Sequence, residues 1–390
     1  MNRSTDRIRT SHAGRIIDPP ELQELEARVR SGESYDAEAY GDVRRRAIRD
    51  SVKRQIDIGL NSIADGEHGK RRDYAYYSAR VSGIEQRPVN PGDVPVTVYK
   101  SREREEFAEF FRDYVGFAGA GLRSTSTAPP GKMVAVGPLQ HMSLQPLSLE
   151  LETFQAVLSE FQYEEAFFPL LAPGWLDHFI WNEYYKSEEE YVYALAEVLK
   201  PEYRAVIDAG FVLQLDDPGL PDSWPTFFPE PAVAEYRKFA ELRIEALNYA
   251  LEGLPEDRIR YHICWGSWNG PHTQDLPFQH VVDLMLRVRA QCYSFEFANV
   301  RHMHEWHIWE NTKLPAGKIL MPGVIDHTTN VVEHPEVVAE RIETFTRLVG
   351  RENVIAGTDC GMRGHPQIGW AKLKMLVEGA QLASKRLWSK

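Results

Sequence analysis

The chain alternates short apolar runs with longer stretches in which apolar and polar residues recur at helical spacing. Short apolar runs suit strands that are buried on both faces, and the longer stretches suit amphipathic helices. Strands and helices in alternation predict a parallel sheet covered by helices. The predicted strands are residues 8–13, 60–66, 166–172, 211–216, 260–265, 292–297, 319–325 and 354–358.

Three of the predicted helices end in a glycine, a residue that often caps the carboxyl end of a helix. They cover residues 35–59, 187–210 and 334–350. Strands and helices in this number predict an α/β protein, a single (β/α)8 TIM-type barrel that fills residues 1–390 as one domain. The interval 82–152 breaks the alternation, and we expect it to form a hairpin or excursion inserted between strands 2 and 3.

Composition and charge exclude several classes of protein. The net charge is −12 and the basic residues are scattered, which argues against a nucleic-acid partner. The three cysteines, Cys264, Cys292 and Cys360, are far apart and odd in number, and the first residues lack an apolar signal core, so we expect a reducing cytoplasm. No stretch approaches the roughly 20 apolar residues that span a bilayer, so we expect no membrane partner.

Four residues of the types that bind zinc stand on three of the later predicted strands. His262 and Cys264 are two residues apart on one strand, so their side chains point the same way. Glu296 lies in the next strand, and Cys360 follows the last one within the motif Gly-Thr-Asp-Cys-Gly. Imidazole and thiolate are preferred zinc ligands, and a metal ion would provide the partner that a carboxylate in an apolar strand needs. The pattern therefore indicates a Zn²⁺ site in the barrel mouth.

A simpler interpretation stays open, since a lone His-x-Cys pair in a strand is more often a core histidine beside a small buried thiol. The segment "RHMHEWHIW" also permits two interpretations, because it carries His302, His304 and His307. It is either a second metal site or a polar segment of the barrel mouth whose aromatic residues Trp306 and Trp309 line a pocket or pack against the next helix.

Acidic residues follow two other strands, at the end of a barrel where catalytic groups gather. Glu67 follows the second predicted strand, and Asp216 ends the fourth. Both are suited to hold a substrate ammonium group. The alternatives are that Glu67, or Asp217 directly after Asp216, caps a following helix or pairs with Arg71 or Arg72.

In their order and placement, these motifs resemble the catalytic barrel of the cobalamin-independent methionine synthases, in particular their short single-barrel homologues. The resemblance covers most of the chain. The motifs that carry it are "RTSHAGR", "QIDIGLNSIADGE", "AGFVLQLDDPGL", "YHICWG", "SFEFANVR", "PGVIDHTTNVVEHPE" and "IAGTDCGM".

The resemblance implies zinc ligation by the four residues named above. It also implies that Glu67 and Asp216 hold the amino group of homocysteine. Where the family has an Ile-Gly-Ser turn that receives the amino-acid carboxylate, this chain has Ala13, Gly14 and Arg15. We expect Arg15 to contact a carboxylate or another anion, since a guanidinium binds such groups with two hydrogen bonds.

The proton donor is a second point of departure from the family. Its catalytic histidine stands two residues after an aspartate, whereas Asp326 is followed directly by His327 here. A leaving group needs a proton from a nearby acid, and we expect His327 or Asp326 to supply it, with His302 or His304 as substitutes.

The sequence thus predicts a zinc-dependent thiol alkyltransferase that methylates homocysteine or a related thiol through a zinc-bound thiolate. Two alternatives stay open. One is thiol addition to an epoxide or another electrophile, as in the epoxyalkane:coenzyme M transferases of the same superfamily, and the other is a non-catalytic barrel that binds zinc and thiols. We expect a small-molecule thiol and an alkyl donor as partners, and assembly into a homo-oligomer is left open.

Overall fold

The computed structural model describes residues 1–30, 33–71, 74–88, 101–112, 132–266, 269–362 and 364–389. The strands in this part of the chain form two sheets. In chain order the strands are β1 (Arg9–Thr10), β2 (Ser62–Ile63), β3 (Val81–Arg87), β4 (Lys132–His141), β5 (Glu165–Leu171), β6 (Ile180–Asn182), β7 (Val212–Asp216), β8 (Ile259–His262), β9 (Cys292–Phe295), β10 (Ile319–Ile325) and β11 (Ile355–Thr358).

The larger sheet is a parallel barrel, and it confirms the predicted fold class. Its strands are paired in the order β1-β11-β10-β9-β8-β7-β5-β2, and each pair is parallel. The two end strands approach each other, because the backbone N–H of Thr10 donates to Asn61 Oδ1 at 2.9 Å and Ser11 Oγ donates to the Ser62 carbonyl at 3.2 Å. The barrel is therefore nearly closed.

Each predicted barrel strand overlaps an observed one, but β1 and β2 are much shorter than predicted. The backbone leaves the strand direction after each of them. Gly14 has φ +108°, Gly66 has φ +76°, and Glu67 adopts the left-handed region with φ 57°. These turns carry the chain into loops at the barrel mouth, where the strand-like sequence pattern continues without strand pairing.

Helices cover the outside of the barrel. None of those in the described part of the chain combines the length and the apolar character that would be needed to cross a bilayer. The α-helices with both ends in that part are α1 (Pro20–Arg30), α2 (Ala37–Ile58), α3 (Tyr74–Ser78), α4 (Arg102–Glu106), α5 (Gln145–Leu158), α6 (Pro173–Leu176), α7 (Glu188–Asp208), α8 (Gly219–Asp222), α9 (Val233–Ala250), α10 (Val282–Met285), α11 (Pro335–Val349) and α12 (Pro366–Trp388).

The helix ends follow from local sequence. Asp36 caps α2 by accepting the backbone N–H groups of Glu38 and Ala39, and Ser187 Oγ caps α7 by accepting that of Glu190. Gly59 ends α2 in the left-handed conformation that is typical of a glycine cap.

The smaller sheet lies where the excursion was expected. β3 pairs antiparallel with β4, which gives a hairpin-like pair between the second and third barrel strands. β4 also pairs with β6, which follows the third barrel strand and so lies beyond the expected limit at residue 152. Residues 89–100 and 113–131, which hold much of the expected excursion, lie outside the described residues. The assignment of residues 1–390 to one domain stays a prediction.

A buried arginine fills the barrel interior beneath the mouth. Arg260 Nε donates to Gln214 Oε1 at 2.7 Å, and its terminal nitrogens donate to Ser11 Oγ at 2.8 Å and to the His12 carbonyl at 2.9 Å. The guanidinium also lies 3.8 Å from the ring centre of Phe167. Burial lowers the pKa of Arg260 to about 10. These contacts join residues of three barrel strands and the loop after β1.

Candidate active site

Three of the four predicted zinc ligands meet at the carboxyl end of the barrel. The ligand atoms of His262, Cys264 and Cys360 all lie within 4.8 Å of one another, and the two sulfurs are 3.4 Å apart. His262 ends β8, Cys264 follows it by two residues, and Cys360 follows β11 by two. Parallel strands in a barrel bring their carboxyl ends to one mouth, which is why residues almost a hundred positions apart meet here.

The imidazole of His262 is oriented for a ligand. Its Nδ1 is hydrogen bonded to Ser294 Oγ at 2.9 Å, while its Nε2 is buried without a hydrogen-bond partner of good geometry among the described residues. A metal-binding histidine usually has its second ring nitrogen held by such a neighbour. One imidazole and two thiols are a donor set that suits zinc. The residues present therefore fit a zinc ion, and their role as its ligands stays a prediction.

The pKa values of the two thiols shift in opposite directions. A hydrogen bond from Cys264 lowers the pKa of the Cys360 thiol well below its usual value against the opposing effect of burial, and His262 and His327 lower it further. The hydrogen bond to Cys360, together with burial, raises the pKa of Cys264. Cys360 is thus the thiol that ionises more readily, and a cation at this position would favour ionisation of both.

Glu296 lies beside this group but does not belong to it. Its Oε1 accepts the backbone N–H of Trp265 at 3.1 Å, and its Oε2 accepts the Asn299 side-chain amide at 2.8 Å. Burial raises the pKa of Glu296 well above its usual value, as do the charges of Asp359 and Cys360. The carboxylate is therefore close enough to interact with the cysteines, but both of its oxygens have hydrogen-bond donors of their own.

Asp359 ties the loop after β9 to the loop after β11. Its Oδ1 accepts the backbone N–H groups of Phe297 and Ala298, each at 2.7 Å, and its Oδ2 accepts that of Asn299 at 2.8 Å. Burial raises the pKa of Asp359 to about 7 despite these donors. Because Asp359 directly precedes Cys360, these hydrogen bonds fix the loop that bears Glu296 relative to the cysteine.

The two predicted proton donors lie next to the thiol group. Carboxylate oxygens of Asp326 and Asp359 and a ring nitrogen of His327 lie within 4.8 Å of one another. Asp326 Oδ1 accepts the backbone N–H of Thr328 at 2.7 Å and its hydroxyl at 2.6 Å. His327 is buried, and its charge contributes to the lowered pKa of Cys360. The role of either side chain as proton donor stays a prediction.

The predicted substrate-binding residues surround the same mouth. A Cβ atom on Gly14 would lie 2.9 Å from Glu67 Oε1, so this glycine leaves room for the carboxylate. Asp216 Oδ1 accepts the Gln214 side-chain amide at 2.7 Å, and the charge of Asp216 acts on His262. Both acids are buried. Glu67 thus follows β2 and Asp216 ends β7, at the end of the barrel that holds the thiols, and their role in substrate binding stays a prediction.

Arg15 lies in the loop after β1 and packs against the loop after β11. Its carbonyl accepts the backbone N–H of Met362 at 2.8 Å, and a Cβ atom on Gly361 would lie 2.7 Å from its own Cβ. Its guanidinium lies 3.5 Å from an Asp18 oxygen, and 37% of the Arg15 side chain is exposed. Arg15 therefore packs against the residues that directly follow Cys360, and its side chain is still partly exposed to solvent.

Comparison with known proteins identifies the family of the chain. A family model described as "Cobalamin-independent synthase, Catalytic domain" matches residues 179–382, which is more than half of the chain. The chain belongs to this family. The resemblance inferred from the motifs is thereby confirmed.

Three curated proteins are similar to this chain over more than half of their own length. The "Methionine synthase" of Sulfurisphaera tokodaii is 24% identical over 322 residues, which are 81% of this chain and 84% of that protein. That of Thermococcus kodakarensis is 24% identical over 73% of this chain and 76% of its own. The "2-hydroxypropyl-CoM lyase" of Xanthobacter autotrophicus is 26% identical over 52% of this chain and 57% of its own.

Two solved structures share the fold. A B12-independent methionine synthase from Shewanella sp. W3-18-1, in complex with selenomethionine, has a TM-score of 0.70 at 19% identity and covers 98% of this chain and 100% of its own. A putative vitamin-B12 independent methionine synthase from Listeria monocytogenes has a TM-score of 0.65 at 18% identity, with the same coverage. At these identities the similarity shows a common fold.

The "RHMHEWHIW" segment of this synthase-family barrel packs against the mouth. His302 lies between Asp275 Oδ2 at 3.0 Å and Glu305 Oε2 at 2.8 Å, and its ring stacks on Trp265 at 3.9 Å. His304 and His307 are exposed. Among the described residues, none of these histidines belongs to a group of ligand atoms close enough to share a metal ion. The interpretation of the segment as a polar part of the barrel mouth therefore agrees with the structure. His302 is held by two carboxylates, and it is not one of the residues grouped with the thiols.

Three residues of the synthase-family site were missed by the sequence analysis, namely Ser294, Asn299 and Asp359. Asp359 stands within the motif that supplied Cys360, and Asn299 stands within "SFEFANVR". Polar residues beside predicted ligands were the available signal, since metal ligands are usually oriented by a second layer of hydrogen bonds.

Proposed function

We propose that the chain is a zinc-dependent thiol alkyltransferase that methylates homocysteine or a related thiol. The observation that carries this proposal is the convergence of one imidazole and two thiols, buried in the mouth of a barrel whose family is that of the cobalamin-independent synthases. Methionine synthases among its relatives support homocysteine as the acceptor.

His262, Cys264 and Cys360 would hold the zinc ion, with Glu296 as the fourth ligand. Bound zinc favours the thiolate form of a substrate thiol at neutral pH. Among these four side chains Glu296 would be the weakest ligand, because a hard oxygen is the poorest match in a sulfur-rich ligand set. Its two hydrogen-bond donors support this choice.

The remaining residues bind and orient the substrate. Glu67 and Asp216 are two buried carboxylates that suit the ammonium group of homocysteine. Gly14 gives Glu67 its space, and Arg15 is suited to the carboxylate at the other end of the amino acid. A ring nitrogen of His327 supplies the proton that the leaving group of the alkyl donor takes up.

A second candidate function is thiol addition to an epoxide, and two observations favour it. One relative is named 2-hydroxypropyl-CoM lyase, and the partly exposed guanidinium of Arg15 is of the type that suits a sulfonate or another anionic thiol tail. In that reaction the sulfur forms a bond to an epoxide carbon, the carbon–oxygen bond breaks, and His327 protonates the resulting alkoxide. A third candidate is a barrel that binds zinc and thiols without catalysis.

Metal analysis and a substrate screen separate these candidates. We expect about one zinc per chain in the purified protein, and cobalt substitution should give a spectrum that changes when homocysteine binds. A cobalt spectrum that no thiol alters would support the non-catalytic barrel. Homocysteine, coenzyme M and glutathione, each assayed with methyl donors and with epoxypropane, distinguish methyl transfer from epoxide opening. Arg15→Ser should weaken the binding of coenzyme M more than that of 2-mercaptoethanol, which lacks the anionic tail.

We also propose the partners and the cellular location of the enzyme. A small-molecule thiol and an alkyl donor are its proposed partners, without nucleic acid or membrane. The odd number of cysteines, all three of them free, supports a reducing cytoplasm as its location.

A further inference from the structure

The side chain of Asn299 joins three parts of the candidate site. Its Nδ2 donates to Glu296 Oε2 at 2.8 Å and lies 3.3 Å from Asp359 Oδ2. Its Oδ1 accepts the backbone N–H groups of Arg301 at 3.0 Å and His302 at 3.1 Å. The residue is buried. One amide group thus holds a turn on one side and the carboxylate of Glu296 on the other.

Glu296 is held outside the thiol group by donors on both of its oxygens. The backbone N–H of Trp265 and the amide of Asn299 each take one oxygen. Hydrogen bonds to a carboxylate are strong when it is charged, and a bound metal ion would favour that form of Glu296. These donors therefore compete with a metal ion for the same carboxylate, and they stabilise Glu296 at a distance from His262, Cys264 and Cys360.

We propose that Asn299 is a positioning residue that holds Glu296 in this withdrawn place when a substrate thiol binds. The inference rests on the proposed function and adds to it the residue that receives the displaced carboxylate. Without the amide, Glu296 would lose one of its two donors outside the metal site and would compete more strongly with the thiol for the metal.

The matched variants are Asn299→Ala and Asn299→Ser. Alanine removes both functions of the side chain. Serine keeps a short acceptor for the turn, of the kind that asparagine and serine both provide, but its hydroxyl is too short to reach Glu296. Asn311→Ala, at an exposed position of the same loop region, serves as the control.

The experiment titrates the cobalt-substituted protein with homocysteine and follows the absorption spectrum. We expect both Asn299 variants to bind one cobalt per chain and to raise the dissociation constant for homocysteine about tenfold, because one charged hydrogen bond to Glu296 is lost. The Asn311→Ala control should match the unmodified protein.

A double-mutant cycle makes the test specific for Glu296. In a Glu296→Gln background, Asn299→Ser should leave the homocysteine dissociation constant unchanged, because no charged carboxylate remains to compete. A tenfold effect that persists there would overturn the proposal. So would an Asn299→Ser variant with a lowered Tm and unchanged homocysteine binding, which would show that the residue only holds the turn. If the unmodified protein bound cobalt but ignored homocysteine, the proposed function would fail, and this inference with it.

Discussion

Replacing a clustered cysteine by serine tests the zinc site with the smallest change in side-chain shape. Cys264→Ser and Cys360→Ser each remove one sulfur from the group of three ligand atoms. The chain provides its own control, since Cys292 is a buried free thiol that packs with Ile319 and Met321 away from that group. Burial raises the pKa of Cys292 to about 12, so this thiol stays protonated and is a poor metal ligand.

The size of the effect follows from the number of ligands. Structural zinc sites bind with about 10–16 kcal/mol, so each of four ligands contributes about 3–4 kcal/mol if they share it evenly. A serine hydroxyl keeps its proton at neutral pH and replaces little of a thiolate bond. Since about 1.4 kcal/mol corresponds to a factor of ten, losing one sulfur should weaken zinc binding by about two to three powers of ten.

Competition with a coloured zinc chelator measures this difference directly. We expect the unmodified protein and Cys292→Ser to keep their zinc at chelator concentrations that strip Cys264→Ser and Cys360→Ser, and methyl transfer should disappear with the metal. Thermal unfolding of each variant identifies any loss caused by misfolding. Retention of zinc by both clustered-cysteine variants, with dissociation constants within tenfold of the unmodified protein, would refute the proposed ligand set.

Three further predictions concern the surroundings of this site. Gly14→Ala should lower the free energy of unfolding by about 1–2 kcal/mol because of its positive φ, and its Cβ should also disturb Glu67 and weaken homocysteine binding in calorimetry. His327→Gln should lower kcat by about a hundredfold while zinc content and homocysteine binding stay the same. Burial raises the pKa of Asp217 to about 6, so the unmodified protein loses stability as the pH rises toward that value, whereas Asp217→Asn does not. The free energy of unfolding of Asp217→Asn, relative to that of the unmodified protein, should therefore rise by about 1 kcal/mol between pH 5 and 8.

Each of these has a matched comparison. Gly210 has φ +90° and open space around its missing Cβ, so Gly210→Ala should share the strain without the change in homocysteine binding. Equal losses of binding in both glycine variants would contradict the role given to Gly14. An unchanged kcat in His327→Gln would show that another residue donates the proton, and Asp326→Asn is then the next variant to assay. For Asp217, urea unfolding curves at several pH values give the comparison, and parallel pH profiles would show that its carboxyl does not titrate in this range.

Much of the barrel is readable from the sequence because buried parallel strands are short apolar runs, and their side chains alternate. The same alternation predicts that His262 and Cys264 share one face of a strand. The shared carboxyl end of the strands then accounts for the meeting of this pair with Cys360. These features depend on local pattern and on the rule that parallel strands end together.

The rest depends on contacts between distant loops, which a pattern along the chain does not record. The position of Glu296 is set by Asn299 and by Asp359, which is about sixty residues away. β1 and β2 are shorter than their apolar runs, and left-handed turns follow within a few residues at Gly14 and Gly66. The third strand of the small sheet was missed because its short segment comes after β5, beyond the region that looked irregular.

Arg260 also links the first loop of the barrel to its middle strands. Its side chain is held by Gln214, Ser11 and His12 and by the ring of Phe167. The interior of such a barrel is a packed core and not a pore. The loop that bears Gly14 and Arg15 is therefore anchored from below to the two strands that end at Asp216 and His262.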